Sequence, residues 1–391
     1  MSLGEFLIFL VTFFIKEKSY SPSGEKIKKD NGQYLVFRTQ NHYIQTMKKP
    51  KVLVWLSWGV DSAVTAHLLL QQWYDVIAGF MKNYSEPENP HCTTRIDRDM
   101  AIKVAEHLGI KTFIIFDFRK EYKERIIDYI YEWYKSGITP NPDIFCNNLI
   151  KFDLFLEEAL KLGCDYVATG HYAIKNDDKL FRWLDHTKDQ SYFLARLSQY
   201  QLDHALFPLG KLTKTQVRDI AHQIKLPNAD RKDSQWLCFI GNIPMSEFLK
   251  KKLPEQQGDI IDATGKKVGT HMGARFYTLG QRHQLFLPFK AYVTATDVVA
   301  NIVTVGEKYD EKLLSDSSLL TDRQGTSVKN NINCLCKIRY RSEPVPCHIQ
   351  IEWNQAKVIF SEPQRWVTPG QIIVCYTDQE EVIGSWIILK S

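Results

Sequence analysis

A short loop near residue 60 has the residue types of a phosphate-binding site. The segment Ser57–Ser62 reads SWGVDS and connects a short apolar, β-branched run to a segment with apolar residues at helical spacing. A loop between a strand and a helix directs backbone N–H groups and the positive end of the helix dipole at an anion. Because the loop lacks the lysine of the GxxxxGK[ST] sequence, it predicts a phosphate site of another kind.

Two cysteines suit sulfur transfer if the fold brings them together. Cys146 ends a proline-bounded loop and directly precedes a predicted helix, whose amino terminus favours the thiolate. Cys238 lies in a second predicted loop much further along the chain. One thiol can carry a persulfide, and the other can attack it or the substrate and then close a disulfide. Spacing alone leaves the ordinary alternative open, since a free cysteine is usually a small core residue.

The other cysteines match no such pattern. Cys334-Leu-Cys336 lacks the two-pair spacing of a zinc site, so the sequence predicts no metal ligands. Eight cysteines spread thinly over 391 residues are unlike a secreted disulfide scaffold and favour a reducing, cytoplasmic compartment.

Alternating strands and helices must position these groups. Strands are predicted at 52–56, 76–80, 112–116 and 165–169. Helices are predicted at 63–72, 97–108, 122–135, 149–162, 213–224 and 244–253, and a loop at 139–147. This alternation predicts an α/β fold with a parallel sheet covered by helices on both faces. From Lys266 onward, short β-rich runs between turn residues predict a β-structured carboxyl-terminal part.

The loop resembles the SGGxDS pyrophosphate loop of ATP pyrophosphatases, and further segments follow it in order. Together they resemble the bacterial tRNA-specific 2-thiouridylase family over about residues 47–391. The segments are GFMKNY (79–84), TPNPDIFCN (139–147), TGHYA (169–173), KDQSYFL (188–194), LFPLGKLTK (206–214), KDSQWLCFIG (232–241), YTLGQR (277–282), KIRYR (337–341) and VTPGQ (367–371).

The resemblance implies three domains and a reaction. A pyrophosphate-loop domain of the adenine-nucleotide alpha-hydrolase type is expected at 47–248, a small central domain at 249–313 and a β-barrel at 314–391. The implied reaction is ATP-dependent adenylation of the C2 oxygen of the wobble uridine in tRNA. Sulfur from a cysteine persulfide then gives 2-thiouridine, AMP and pyrophosphate. Mg²⁺ is expected with the nucleotide, and a cysteine desulfurase or sulfur-relay protein as the sulfur donor.

The resemblance also implies roles for individual residues. Cys146 matches the nucleophile, and Cys238 matches the persulfide carrier, which forms a transient disulfide with Cys146. Asp143 matches a carboxylate that acts as acid or base. ATP is expected to contact Trp55, Leu56, Ser57, Trp58, Gly59, Val60, Asp61, Ser62, Met81 and Gly170. The tRNA is expected to contact Asn141, Pro142, Asp143, His171, Lys188, Asp189, Gln190, Arg339, Tyr340 and Gln371.

Tryptophans depart from the family pattern. The chain has nine tryptophans but only 20 glycines, and six tryptophans stand where glycine is expected: Trp55, Trp58, Trp73, Trp183, Trp236 and Trp386. Trp58 replaces the first glycine of the phosphate loop, where an indole is expected to obstruct the phosphates. We hypothesise that several are glycines misread from UGA codons, which some bacteria decode as glycine. Genuine tryptophans accommodated by compensating changes are the alternative.

The amino terminus is expected to be a loosely attached extension. Residues 6–15 form an apolar run too short to span a membrane, and residues 16–46 are polar without a clear period. The working start is therefore placed at Met47. A composition of 44% hydrophobic and 24% charged residues excludes a disordered or fibrous chain, and the net charge of +5 permits a nucleic-acid partner.

Two other functions stay open at this point. One is a different pyrophosphate-loop adenylating enzyme, such as an amidating synthetase or a cytidine thiolase, although the latter would want paired CxxC motifs that the sequence lacks. The other is a non-catalytic tRNA-binding relative disabled by Trp58.

Overall fold

Three short strands precede the expected start at Met47. The computed structural model describes residues 26–30, 33–37, 45–84, 93–232, 243–325, 331–352 and 355–390. Its first sheet pairs β1 (Lys26–Asp30), β2 (Gln33–Phe37) and β3 (Gln45–Met47) in antiparallel fashion. The sequence predicted no regular element here, because these short segments lack a sustained alternating pattern. The apolar run at residues 6–15 lies outside the described residues.

A five-stranded sheet follows, and its neighbouring strands all pair in parallel. It consists of β4 (Lys51–Trp55), β5 (Asp75–Lys82), β6 (Phe113–Asp117), β7 (Tyr166–Ala168) and, after a hairpin of β8 (Ile174–Asn176) and β9 (Lys179–Phe181), β10 (Ala205–Leu206). The strand order is β10-β7-β4-β5-β6. The predicted parallel sheet is confirmed.

This strand order creates a switch point beside β4. The chain runs from β4 to β5 on one side, whereas β7 pairs with the other side of β4. Open α/β sheets bind ligands in the crevice beyond the carboxyl ends of strands at such a point. The phosphate loop follows β4 and residues 169–171 follow β7, so both meet in this crevice.

Helices cover the sheet close to the predicted positions. They are α1 (Val60–Gln71), α2 (Thr94–His107), α3 (Arg119–Tyr122), α4 (Asp128–Lys135), α5 (Pro142–Cys146), α6 (Phe155–Lys161), α7 (Ser191–Leu194), α8 (Gln199–Asp203), α9 (Lys214–Gln223) and α10 (Met245–Lys250). π-Helical turns at Lys123–Ile127 and Asn147–Leu154 join α3 to α4 and α5 to α6. Within the described ranges, no helix is long and apolar enough to cross a membrane.

One helix begins earlier than predicted. Residues 139–147 were expected to be a loop, but Pro142 opens a helical stretch that runs on through Cys146. Proline suits the first helical position, because its fixed φ fits and its missing N–H is not needed there. Cys146 therefore lies in the second turn of the helix and not at its start, so the helix dipole acts on its thiol less strongly than expected.

The carboxyl-terminal half is built of antiparallel strands with one parallel pair. A four-stranded sheet contains β11 (Gly258–Ile261), β12 (Lys267–His271), β13 (Tyr292–Asp297) and β14 (Ile302–Gly306). A closed barrel follows, made of β15 (Leu314–Gln324), β16 (Asn331–Lys337), β17 (Val345–Glu352), β18 (Gln355–Arg365), β19 (Ile372–Tyr376) and β20 (Val382–Lys390). The predicted β-structured part is confirmed.

Four buried cysteines lie inside this barrel as free thiols. Cys334 stands opposite Cys347, and Cys336 stands opposite Cys375 on neighbouring strands. The Sγ atoms of Cys334 and Cys347 are 3.6 Å apart, so they are in contact but not bonded. Burial holds the pKa of the Cys375 thiol well above its usual range, so this thiol stays protonated and unreactive.

The tryptophans differ in the φ angle of their backbone. Trp73 follows α1 with a φ of +66°, and the corresponding position after α2 is Gly109 with a φ of +69°. Trp366 has a φ of +60°, and its buried Nε1 lacks a hydrogen-bond partner. Trp183 and Trp386 are fully buried without positive φ. Among the tryptophans that the structure describes, only Trp73 and Trp366 therefore occupy the left-handed region that favours glycine.

Trp73→Gly is expected to be more stable than Trp73→Ala. Both changes remove the indole, but only glycine adopts this positive φ freely, and the left-handed region costs other residues roughly 1–2 kcal/mol. Thermal unfolding followed by circular dichroism should give the glycine variant the higher melting temperature. Trp386 is the matched control, because glycine weakens a strand and should be the worse replacement there. A higher melting temperature for Trp73→Ala would contradict strain at this position.

Candidate active site

Serine hydroxyls hold the phosphate loop in shape. Ser62 Oγ lies 3.0 Å from Ser57 Oγ and donates to the carbonyl oxygen of Gly59 at 2.9 Å. The backbone N–H of Ser57 donates to Ser62 Oγ, and that of Gly59 donates to Ser57 Oγ. These hydrogen bonds fix the loop at the amino end of α1, where free N–H groups and the helix dipole favour an anion.

The buried side chains of Leu56 and Val60 anchor this loop to the core. Both side chains are buried with the residues between the sheet and its outer helices, so only their backbone atoms are available to a nucleotide. Met81, near the end of β5, is also buried, in the core on the other side of the sheet.

Asp61 is the charged residue of the loop, and it already has two partners. Lys214 Nζ donates to Asp61 Oδ1 at 2.7 Å and to Oδ2 at 2.9 Å, and the Tyr172 hydroxyl donates to Oδ1 at 2.7 Å. Lys214 is the first residue of α9, which Thr213 caps. The sequence contained this lysine in the LTK segment but gave it no role.

The Trp58 indole lies against a cation. The Arg231 guanidinium carbon is 3.9 Å from the ring centroid, and the same guanidinium donates to Asp97 at 2.9 Å. Asn228 Nδ2 donates to the Trp58 carbonyl oxygen at 3.0 Å. Trp58 does not have a positive φ, so its backbone conformation does not require glycine.

Gly170 brings the end of β7 against the phosphate loop. A Cβ at this position would lie 2.8 Å from the carbonyl carbon of Asp61 and from the nitrogen of Ser62. Both are backbone atoms, so they cannot yield as a flexible side chain would. Glycine is therefore required here by close approach, which fits the expected place of Gly170 beside the nucleotide.

The next residue, His171, is buried beside Lys151. Its Nδ1 lies 2.7 Å from Thr169 Oγ1. Burial, followed by the charge of Lys151, holds the pKa of His171 well below its usual range. The imidazole is therefore neutral at physiological pH, and any contact with tRNA would be made by a neutral ring.

Residues from the barrel position the segment that leads to Cys146. Gln371 Nε2 donates to the carbonyl oxygens of Thr139 and Pro140 at 3.1 and 3.0 Å, and Gln371 Oε1 accepts from Asn141 Nδ2 at 3.3 Å. The Asn141 N–H donates to the Tyr129 hydroxyl at 3.2 Å.

The thiol and carboxylate that follow are only partly accessible. Cys146 is 2% exposed, while Pro142 and Asp143 in the first turn of α5 are half-buried. Cys238 and Trp236 lie outside the described residues, so the pairing of Cys146 with Cys238 stays a prediction.

The expected tRNA contacts at 188–190 differ in accessibility. Lys188 is exposed, whereas Asp189 is completely buried. The Asp189 carboxylate accepts from the N–H groups of Trp183 and Ser191 and pairs with Arg182. Contact of Asp189 with RNA would require it to leave these partners.

Three further expected tRNA residues are also held by protein atoms. Gln190 Oε1 accepts from the N–H of Tyr172 at 2.9 Å. Arg339 donates to Thr368 Oγ1 at 2.6 Å and to the Leu279 carbonyl oxygen at 3.3 Å, so it links the barrel to the middle sheet region. Tyr340 packs at 4.4 Å between ring centroids against Phe193.

The sequence missed Lys151, which joins the thiol helix to the phosphate loop. Lys151 lies in the π-helical turn after Cys146, and its Nζ is 4.2 Å from the ring centroid of Trp55 at the end of β4. It is 5% exposed. A lysine between two apolar residues, Ile150 and Phe152, in a buried helix was the available signal.

Comparisons with known proteins agree with this architecture. The model of the tRNA methyl transferase HUP domain matches residues 50–242, that of the tRNA methyl transferase PRC-barrel domain matches 246–307, and that of the aminomethyltransferase beta-barrel domain matches 311–388. The tRNA-specific 2-thiouridylase MnmA of Streptococcus equi subsp. zooepidemicus is 42% identical over 87% of this chain and 95% of its own length. The protein of the same name from Thiobacillus denitrificans is 43% identical over 86% of this chain and 99% of its own.

The chain belongs to the tRNA-specific 2-thiouridylase family. In this family member, the phosphate loop, Gly170 and the helix that carries Cys146 meet at the switch point of the sheet. Both the fold class and the suspected resemblance are thereby confirmed. The roles of single residues and the exact domain boundaries stay predictions.

Gly170→Ala is expected to weaken ATP binding by at least about tenfold. The added Cβ must displace the loop backbone, and a shift of about 1 Å can cost roughly 100-fold in function. Isothermal titration with ATP measures the effect. Gly163, just before β7, is the control, because its φ is +70° and no atom lies within 4 Å of its would-be Cβ. Gly163→Ala should therefore lose stability but keep its ATP affinity; equal ATP affinity in both variants would refute the steric requirement at Gly170.

Proposed function

We propose that the chain is a tRNA 2-thiouridylase. It uses ATP to activate the C2 oxygen of the wobble uridine and a cysteine persulfide to supply sulfur. The observation that carries this proposal is the contact of Lys151, on the helix of Cys146, with Trp55 at the head of the phosphate loop. This contact brings the helix of Cys146 next to the strand that leads into the phosphate loop. Thiolation needs the thiol and the nucleotide close together.

The loop and its neighbours suit the activation step. The amino end of α1 and the loop N–H groups would hold the pyrophosphate part of ATP. Met81 was expected to pack on adenine, and because it is 2% exposed it would do so only after its core neighbours moved. The C2 oxygen of uridine attacks the α-phosphorus, the bond to the β-phosphate oxygen breaks, and pyrophosphate leaves. The uridine then carries AMP, a far better leaving group than oxygen alone.

Asp61 would hold Mg²⁺ together with the phosphates, and to do so its carboxylate would exchange its ion pair with Lys214 for the metal. Mg²⁺ is usually bound through one or two carboxylates plus substrate phosphates, and a single loop carboxylate meets that need. Bound there, the ion would neutralise phosphate charge. Among the described residues, no group of three histidine, cysteine or acidic side chains could hold a metal by itself.

The sulfur step uses the two predicted thiols. The outer sulfur of a persulfide on Cys238 bonds to C2, and AMP leaves with the electrons of the C–O bond. The Cys146 thiolate then attacks Cys238 Sγ, which breaks the sulfur–sulfur bond and leaves 2-thiouridine and a Cys146–Cys238 disulfide. Asp143, three residues before Cys146, is suited to accept or return a proton.

The proposal requires partners beyond ATP. A sulfur-donating protein must reload Cys238, and a thiol reductant must open the disulfide after each turnover. The target uridine must leave the anticodon stack to reach the crevice. Buried free thiols in the barrel are compatible with a reducing, cytoplasmic location.

Cys146→Ser and Cys238→Ser are each expected to abolish 2-thiouridine formation while tRNA binding is retained. Serine cannot form the persulfide or the disulfide that the sulfur step needs. Mass spectrometry of wobble uridine from a thiouridylase-deficient host that expresses each variant measures the product.

Cys164→Ser is the matched control for these variants. Burial raises the pKa of Cys164 to about 11, so its thiol is protonated and its replacement should affect stability at most. Near-normal thiolation by either Cys146→Ser or Cys238→Ser would remove that residue from the proposed mechanism.

Trp58 favours a second candidate, a tRNA-binding relative without catalysis. Pyrophosphate release from ATP in the presence of tRNA separates the two, because only the enzyme releases it.

If the tryptophans are misread glycines, the gene should have UGA at Trp55, Trp58, Trp73, Trp183, Trp236 and Trp386. Trp58→Gly together with Trp236→Gly should then be necessary for thiolation by the chain as written. A UGG codon at Trp58, or full thiolation without these changes, would contradict the hypothesis there.

A further inference from the structure

A buried lysine at the nucleotide crevice lacks a negative partner. Lys151 is 5% exposed, and among the described residues its ammonium has neither a carboxylate partner nor a hydrogen bond. Its neighbours are the Trp55 ring, at 4.2 Å, and the neutral imidazole of His171, whose pKa it helps to lower. Within the part of the chain that the structure describes, the charge of Lys151 at the crevice therefore has no compensating carboxylate.

Such a charge is costly unless something else compensates it. Removing an ammonium from water carries a desolvation cost, which a cation–π contact offsets only in part. The carboxylate of the phosphate loop, Asp61, is already bound by Lys214 and Tyr172. Because no described carboxylate pairs with Lys151, an anion bound in the crevice would compensate its charge.

The position of Lys151 selects the kind of anion. Trp55 is directly followed by the phosphate loop, and His171 adjoins Gly170, which packs on the start of α1. Lys151 also shares a continuous helical stretch with Cys146. The ammonium thus lies beside the end of the strand that leads into the phosphate loop, on the helical stretch that carries Cys146. This position favours a nucleotide phosphate as its anion.

We propose that Lys151 binds the α-phosphate of the nucleotide and stays bound to it through both steps. This inference rests on the proposed function. When pyrophosphate has left, the α-phosphate is the phosphate of the adenylated uridine. When sulfur bonds to C2, the C–O bond breaks and its electron pair goes to an oxygen of AMP. The Lys151 ammonium stabilises the charge that develops there.

Lys151→Met tests this assignment with ATP, ADP, AMP and adenosine as probes. Dissociation constants from isothermal titration are expected to rise by about 10- to 100-fold for ATP, ADP and AMP alike, as for loss of one hydrogen bond to a charged group. Adenosine, which has no phosphate, should bind as before. Lys151→Arg keeps the charge and should recover part of the affinity for AMP.

Stability provides an independent readout. Methionine has a similar shape without the charge, so Lys151→Met should raise the melting temperature of the nucleotide-free protein and reduce the further rise that ATP produces. Lys51, at the opposite end of β4, is the matched control, since its ammonium is satisfied by the Leu162 carbonyl oxygen at 2.8 Å. Lys51→Met should lower the melting temperature and leave nucleotide affinities unchanged.

Three results would overturn the assignment. The first is a loss of affinity for ATP and ADP but not for AMP, which would place Lys151 on the outer phosphates. The second is unchanged nucleotide binding with weaker tRNA binding and a smaller salt dependence, which would place it on the RNA backbone. The third is a lower melting temperature with unchanged affinities, which would make it structural. These measurements need neither tRNA nor sulfur, so they can fail while thiolation is observed, and thiolation can fail while they succeed.

Discussion

The close approach of Gly170 to the start of α1 is the constraint on which the crevice depends. Strands β4 and β7 are paired in register, with Val54 opposite Ala168, so their carboxyl ends reach the same level. Without a side chain at Gly170, the end of β7 can then press directly on the loop backbone. The serine hydroxyls fix the loop from within, and this contact fixes it from outside. A phosphate site made mainly of backbone N–H groups needs such rigidity, because its donors cannot adjust as long side chains do.

The segment before Cys146 is held by residues from all three parts of the chain. Gln371 and Gly370 come from the barrel, and Thr278 Oγ1 lies 2.9 Å from Thr139 Oγ1. Gly370 has a φ of +88°, and a Cβ there would lie 2.6 Å from the Thr139 carbonyl oxygen. Gln371 was expected to contact tRNA, yet its side-chain amide forms hydrogen bonds with Thr139, Pro140 and Asn141 in this segment. RNA that engages Gln371 would therefore have to replace hydrogen bonds that position the thiol helix.

Much of the fold was readable from the sequence, because long periodic segments carry their own signal. The four predicted strands of the parallel sheet and the helices between them lie within a few residues of the observed ones. The helix start at Pro142 was missed because a proline-rich segment reads equally well as a loop. Sequence pattern also places residues along the chain and not across it. It therefore indicated the phosphate loop and Cys146. It gave no sign that Asp61 pairs with Lys214 or that Asp189 is buried and pairs with Arg182.

The two tryptophans nearest the chemistry share a further property, since each covers a cation. The Trp55 ring lies on Lys151, and the Trp58 ring lies on Arg231. Glycine at these two positions would uncover both cations beside the phosphate loop, and Arg231 would keep its ion pair with Asp97. An indole at either position thus covers a positive charge beside the loop. If residues 55 and 58 are glycine, as the misreading hypothesis has it, Lys151 and Arg231 are both open to a phosphate in the crevice.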